Sequence, residues 1–149
     1  MILKTQKRIR LCLCLLAANL LFIWGNSLLP ATVSDAISLW IKDLLGFLFP
    51  EGTTQSQGNG MLRNAAHFLE FCLLGSLFCW LFGMLRKKQW AFLLPTLGCG
   101  CLAACIDEAL QCFAPGRTPS IADVITDLSG VCLGIILFST GYLICKKRK

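Results

Sequence analysis

Charge is what this sequence has least of. Only 15% of its 149 residues are Asp, Glu, Lys or Arg, whereas 56% are apolar and the mean hydropathy is +0.68. A soluble domain carries roughly 25% charged residues, so an ordinary water-soluble fold is excluded and the bilayer is the natural solvent. Walker, zinc-finger and dinucleotide-binding motifs are missing, as is any convincing internal repeat. Acidic residues are missing from all three basic segments of the chain, and that absence carries the topology.

Those segments hold eleven of the 14 Lys and Arg residues: the N-terminal tail with Lys4, Lys7, Arg8 and Arg10, the Arg86-Lys87-Lys88 turn, and the Lys146-Lys147-Arg148-Lys149 tail. A net charge of +6 can indicate nucleic-acid binding, but charge confined to the ends of apolar runs marks membrane topology instead, and no nucleic-acid partner is expected. Four runs approach the roughly 20 apolar residues that a spanning helix requires: residues 9–28, 65–85, 90–113 and 121–145. With four spans the basic segments share one side, which the positive-inside rule makes the cytoplasm. Both termini are therefore expected inside, in a multi-pass protein of the cell membrane. The first run also resembles a secretory signal, but no clean small-x-small cleavage site follows it, and a retained helix is expected.

Ten cysteines suggest a disulfide scaffold or a zinc site in a short soluble chain. Here nearly all lie within apolar runs, where thiols pack as small hydrophobes. Cys99, Cys101 and Cys105 are not expected to converge on a metal, with Cys101 pointing away from the other two.

The long first connection holds an amphipathic pattern over residues 33–49. Val33, Ile37, Trp40, Ile41, Leu44 and Leu48 recur at helical spacing, opposite Ser34, Asp35, Ser38 and Lys42. Pro30 and Pro50 bracket the helix, and Thr32 and Asp35 have capping-box spacing. The helix is expected to lie flat on the outer leaflet, with a re-entrant dip as the alternative. Residues 51–60 hold Glu51 followed by Gly, Thr, Gln, Ser and Asn without periodicity, the composition of a flexible outer loop.

The ionisable residues inside the apolar runs are clustered. Arg63, His67 and Glu70 are four and three residues apart, hence on one helix face. Asp107, Glu108 and Gln111 close the third run, a Pro- and Gly-containing turn presents Arg117 and Ser120, and Asp123 and Asp127 open the fourth. Gly130, Gly134 and Gly141 continue the Asp127 stripe, with small-xxx-small spacing between the first two, so this stripe should face the bundle. Five carboxylates, Glu70, Asp107, Glu108, Asp123 and Asp127, face Arg63, Arg117 and at most one protonated imidazole. Internal pairing leaves two or three carboxylates that must stay protonated, bind a cation or reach water. Arginine forks match phosphate oxygens, carboxylates hold divalent cations, and an imidazole carries protons near neutral pH.

Two blocks then resemble the VanZ-like family of membrane proteins. The first runs from Arg63 through His67-Phe68-Leu69-Glu70-Phe71 to Gly75. The second runs Asp107-Glu108-x-x-Gln111-x-Phe113-x-Pro115-Gly116-Arg117-x-x-Ser120-x-x-Asp123-Val124-x-x-Asp127-x-x-Gly130-x-x-x-Gly134. Together they cover about 40 of the 149 residues. Phe71 stands where many relatives have Tyr, and Trp24-Gly25-Asn26-Ser27 is loosely similar to a polar motif that closes the first helix of relatives. The resemblance implies a small multi-pass protein of the bacterial cell envelope, related to one that confers low-level teicoplanin resistance.

The expected fold is thus an all-α integral membrane bundle of about four transmembrane helices, a single domain, with an interfacial amphipathic helix in the first outer loop. Its outward-facing site is expected to bind, and in one reading process, a phosphate-bearing lipid or lipid-linked wall precursor. Candidate catalytic residues are His67, Glu70, Asp107, Glu108, Asp123 and Asp127, and candidate ligand-binding residues are Arg63, Gln111, Arg117 and Ser120. Asp107, Glu108, Asp123 and Asp127 are candidate ligands for a divalent cation such as magnesium or calcium. In the competing, non-catalytic reading the same cluster is structural or lipid-binding and alters antibiotic access to the surface. Ion or proton transport is disfavoured, because the carboxylates gather at one end instead of crossing the membrane.

Overall fold

A computed structural model describes residues 2–44, 55–85 and 90–147. These residues form five helices and no strand: α1 (Ile2–Ser27), α2 (Ala31–Leu44), α3 (Gln55–Leu85), α4 (Leu93–Gln111) and α5 (Ile121–Lys147). All but α2 are long and apolar enough to cross a membrane, over Thr5–Ser27, Gly60–Leu85, Leu93–Gln111 and Ile121–Lys146. The chain is an all-α, multi-pass membrane protein. Leu21, Leu94, Leu102 and Ile136 are each more than half exposed on its surface, as suits a face solvated by acyl chains.

α3 is the hub, touching each of the other helices, and its most extensive contact is with α5. Acyl chains are as apolar as leucine, so close packing and interhelical hydrogen bonds, not hydrophobic burial, hold such helices together. Glycines provide the closeness. A Cβ at Gly134 would collide with the Cys72 carbonyl, one at Gly130 with the Phe68 carbonyl, and one at Gly75 would lie 2.6 Å from the Val131 carbonyl oxygen. The Ser76 hydroxyl completes the seam by donating to the Gly134 carbonyl at 3.2 Å. Gly141, expected on the same stripe, meets nothing within 4 Å. The seam therefore ends before it. α1 supplies Cys12, Leu16 and Ile23 to the core, against Phe71 and Leu74 of α3 and Ala103 and Ala104 of α4.

Several boundaries differ from those expected. α3 begins at Gln55, so residues 55–60 are helical and not a loop, whereas 51–54 lie outside the described residues. Extending a formed helix adds one hydrogen bond for each residue fixed, which lets polar residues with two glycines join it. α4 starts at Leu93, with Pro95 in its first turn, where a missing N–H costs nothing. α2 starts two residues early. The Pro30 carbonyl accepts from the Val33 and Ser34 amides at 3.1 Å, so Thr32 is inside the helix and caps nothing, and residues 45–49 lie outside the described residues. Cys101 and Cys105, one turn apart, are both exposed, so it is Cys99, half-buried, that stands apart from the other two.

α2 is also turned in a way that its amphipathic pattern alone does not reveal. Val33, Trp40 and Leu44 point outward, Ser38 is buried against the bundle, and Ile37 and Ile41 border a cavity between α2 and the bundle. Its start is tied to the α4–α5 turn by a bond from the Ala31 amide to the Pro115 carbonyl, 3.0 Å long. Gly116 adopts φ +77°, and a Cβ there would lie 3.2 Å from that of Ala31, so both conformation and space call for glycine.

Candidate functional site

The α3–α5 seam continues, one turn beyond Gly130, into a polar cluster. Asp127 is 1% exposed and Asp107 fully buried, both on turns that face α3. His67 projects between them. Its Nδ1 lies 3.7 Å from Asp107 Oδ2 and 3.8 Å from Asp127 Oδ1. Both separations exceed a hydrogen bond, which spans about 2.7–3.2 Å, and neither Asp127 oxygen has any hydrogen-bond partner.

Around this trio the polar groups are more tightly held. Ser27, the last residue of α1, donates to Asp107 Oδ1 at 2.6 Å. The Gln111 amide donates to Asp107 Oδ2 and Glu108 Oε1, each at 3.1 Å. Glu108 also accepts the Ser120 amide at 2.6 Å, pinning the α4–α5 turn to α4. The Ser120 hydroxyl accepts from the Ala122 amide at 3.2 Å, the bond of a helix N-cap. Arg63 Nη2 lies 3.8 Å from Asp123 Oδ2, a loose, partly exposed pair that contributes under about 1 kcal/mol.

Beside the cluster is a cavity of about 360 Å³ bounded by α1, α2, α3 and the α4–α5 turn. Arg63, His67, Glu70 and Arg117 line its polar part, and Phe22, Leu29, Ile37 and Ile41 contribute much of the apolar remainder. Glu70 Oε1 accepts from Asn26 Nδ2 at 3.0 Å, but its Oε2 is buried without a partner. Arg117 Nε and Nη1 are likewise buried without acceptors. Burial, followed by the like charge of Arg63, lowers the Arg117 pKa, against the pull of Asp107, Asp35 and Asp123. A guanidinium nevertheless stays protonated. What burial leaves is a cation with unused donors.

A family model described as VanZ/LLP1 matches residues 9–144, nearly the whole chain and both polar blocks. The chain belongs to the VanZ/LLP1 family. No curated protein and no solved structure matches it.

In this VanZ/LLP1 protein the candidate residues divide into three groups. His67, Asp107 and Asp127 converge; Arg63, Glu70 and Arg117 join His67 around the cavity; Glu108, Gln111, Ser120 and Asp123 serve as ties between helix ends. The four carboxylates expected to share a cation do not gather. Glu108 is engaged by Gln111 and the Ser120 amide and Asp123 faces Arg63, while His67, absent from that expected set, completes the group around Asp107 and Asp127. Ser120, expected to bind ligand, is occupied as a cap.

Sequence reasoning left Asn26 and Ser27 out of the site, and also Ser34 and Ser38, which line the cavity from α2. The signal for the first two was available: two polar residues end an apolar run, and at membrane depth polar groups need partners. For the serines on α2, no spacing rule says which face of an amphipathic helix meets protein.

Proposed function

We propose that the cavity binds the phosphate of a membrane lipid or of a lipid-linked cell-wall precursor, with the hydrocarbon chain against Phe22, Leu29, Ile37 and Ile41. The observation that carries this reading is Arg117, whose buried donors lack acceptors in the wall of a largely apolar cavity. A buried donor left unmade costs about 1–3 kcal/mol, and phosphate oxygens are the acceptors that a guanidinium fork fits best. Arg63, which also lines the cavity, supplies a second cation. The asymmetry of Lys and Arg supports placing both termini in the cytoplasm and this mouth outward, where the headgroups of wall precursors are displayed. Occupying or screening such headgroups is how the protein would lower susceptibility to glycopeptide or lipopeptide antibiotics.

The test is native mass spectrometry of the detergent-purified protein with phosphatidylglycerol, undecaprenyl phosphate and, as the phosphate-free control, diacylglycerol. Retention of either phosphate lipid over diacylglycerol is expected, and the preferred one identifies the source of the phosphate. Arg117→Gln should weaken retention by about tenfold to a hundredfold, matching 1.5–3 kcal/mol for hydrogen bonds to a charged group. Equal retention of diacylglycerol, or an Arg117→Gln protein that binds like the wild type, overturns the reading. In a glycopeptide-sensitive bacterium, the wild-type chain should raise the inhibitory concentration of teicoplanin and Arg117→Gln should not.

A further inference from the structure

The lipid reading makes no use of the most buried part of the cluster. Asp107 and Asp127 are fully or almost fully buried in a bundle with an apolar exterior, and the His67 side chain is only 12% exposed. Each offers one ligand atom, and the three atoms lie within 4.8 Å of one another. Two buried carboxylates that stay ionised need two positive charges close by, since uncompensated charge in such surroundings costs several kcal/mol per ion. One imidazole supplies at most one, Arg63 is directed to Asp123, and Arg117, although Asp107 attracts it, makes no ion pair with either carboxylate among the described residues.

Geometry separates the ways of meeting that need. If the trio were joined by protons, the imidazole and the carboxylates would be drawn to hydrogen-bond distance, yet His67 Nδ1 stands 3.7 and 3.8 Å from them. Two donors bound at about 2.1 Å to one centre at a tetrahedral angle are roughly 3.4 Å apart, so these spacings resemble ligands arranged around a shared point. Asp127 supplies an independent indication. It is 1% exposed, aimed at His67, and both its oxygens lack any donor. Asp107, in contrast, is oriented by Ser27 and Gln111, the kind of support that fixes a metal-bound carboxylate.

We infer that His67, Asp107 and Asp127 form a binding site for one divalent first-row transition-metal ion. The complex is neutral: two carboxylates balance the ion, and the imidazole binds through Nδ1 without charge. One nitrogen with two oxygens suits manganese, iron or zinc better than magnesium or calcium, which prefer all-oxygen shells. Three protein ligands leave at least one coordination position open. His67 forms the shared wall between this site and the cavity. The ion site does not depend on what the cavity holds.

Manganese(II) is the suitable probe, because the ten cysteines of the chain compete for softer ions such as zinc. The full-length protein in detergent is titrated with manganese(II), and free ion is followed by electron paramagnetic resonance. One ion should bind per chain. Asp127→Asn, close to isosteric, and His67→Gln should each weaken binding by at least about a hundredfold, the upper end of what loss of a merely supporting group does. Asp123→Asn, outside the trio, should bind as the wild type does. A folded wild-type protein that takes up no manganese beyond the detergent blank overturns the inference without recourse to any variant. Loss on Asp123→Asn with retention on Asp127→Asn overturns it too. Lipid retention is measured on the same preparations, so failure to bind the ion and failure to bind phosphate are told apart.

Discussion

Along α3, the stretch from Phe68 to Ser76 meets α5 backbone to backbone, with no room for a Cβ at Gly130 or Gly134. Immediately before it, Arg63 and His67 stand 3.7 to 3.8 Å from the carboxylates they face. α3 thus makes with α5 a seam that tolerates nothing extra, and with α4 and α5 a mouth that leaves polar groups short of contact. Gly130 lies three residues from Asp127, and the carbonyl it approaches belongs to Phe68, next to His67. The tight seam therefore sets the spacing of the loose mouth. Polar side chains in water-free surroundings would otherwise close on one another, since their pairing is strong there.

The comparison breaks most visibly if the seam is filled. Gly134→Leu drives a branched side chain into the Cys72 carbonyl and the Ser76 amide, both backbone atoms that cannot rotate away. The expected cost is about 3 kcal/mol or more, the upper end for overpacking. Thermal unfolding in detergent, followed by size-exclusion chromatography, should show loss of the monodisperse species. A variant that melts with the wild type would mean that α3 and α5 are not in backbone contact.

At the mouth the expected damage is smaller and of another kind. Ser27→Ala removes the hydroxyl that donates to buried Asp107 at 2.6 Å. Losing a hydrogen bond to a charged group costs about 1.5–3 kcal/mol. The protein should still fold, because Gln111 keeps its bond to the same carboxylate, but its melting temperature should fall. Unchanged melting would indicate that α1 does not hold Asp107 and that the cluster is built by α3, α4 and α5 alone.

How far the sequence reached follows the same division. Apolar runs announce spanning helices because bilayer thickness fixes their length, and the Gly130-to-Gly134 spacing announces a close approach because few other purposes need small residues one turn apart. Which polar groups become partners was less legible. Helical spacing put Arg63, His67 and Glu70 on one face, but whether His67 would meet Asp107, Asp123 or Asp127 depends on the rotation of α4 and α5 about their axes, which no spacing encodes. Glu108 and Ser120 looked like site residues because they are polar and near the cluster, yet they tie the α4–α5 turn together. α2 shows the limit most clearly: amphipathicity separates its two faces, but of the apolar residues Val33, Trp40 and Leu44 point away from the protein while Ile37 and Ile41 line the cavity.

Gly141 gives the finest test, because by spacing alone it belongs with Gly134. A seam that ran the whole length of α5 would make Gly141→Ala destabilising, as the added methyl would press on α3. A Cβ there meets nothing within 4 Å, so the methyl is free of contacts, and the remaining effect is backbone freedom, which favours alanine over glycine in a helix by up to about 1 kcal/mol. The variant should therefore melt at or slightly above the wild-type temperature while leaving lipid retention and metal uptake unchanged. A drop in melting temperature would extend the α3–α5 seam toward the C-terminal end of α5, and the geometry of the mouth would then be set by the full length of that helix instead of by Gly130 and Gly134.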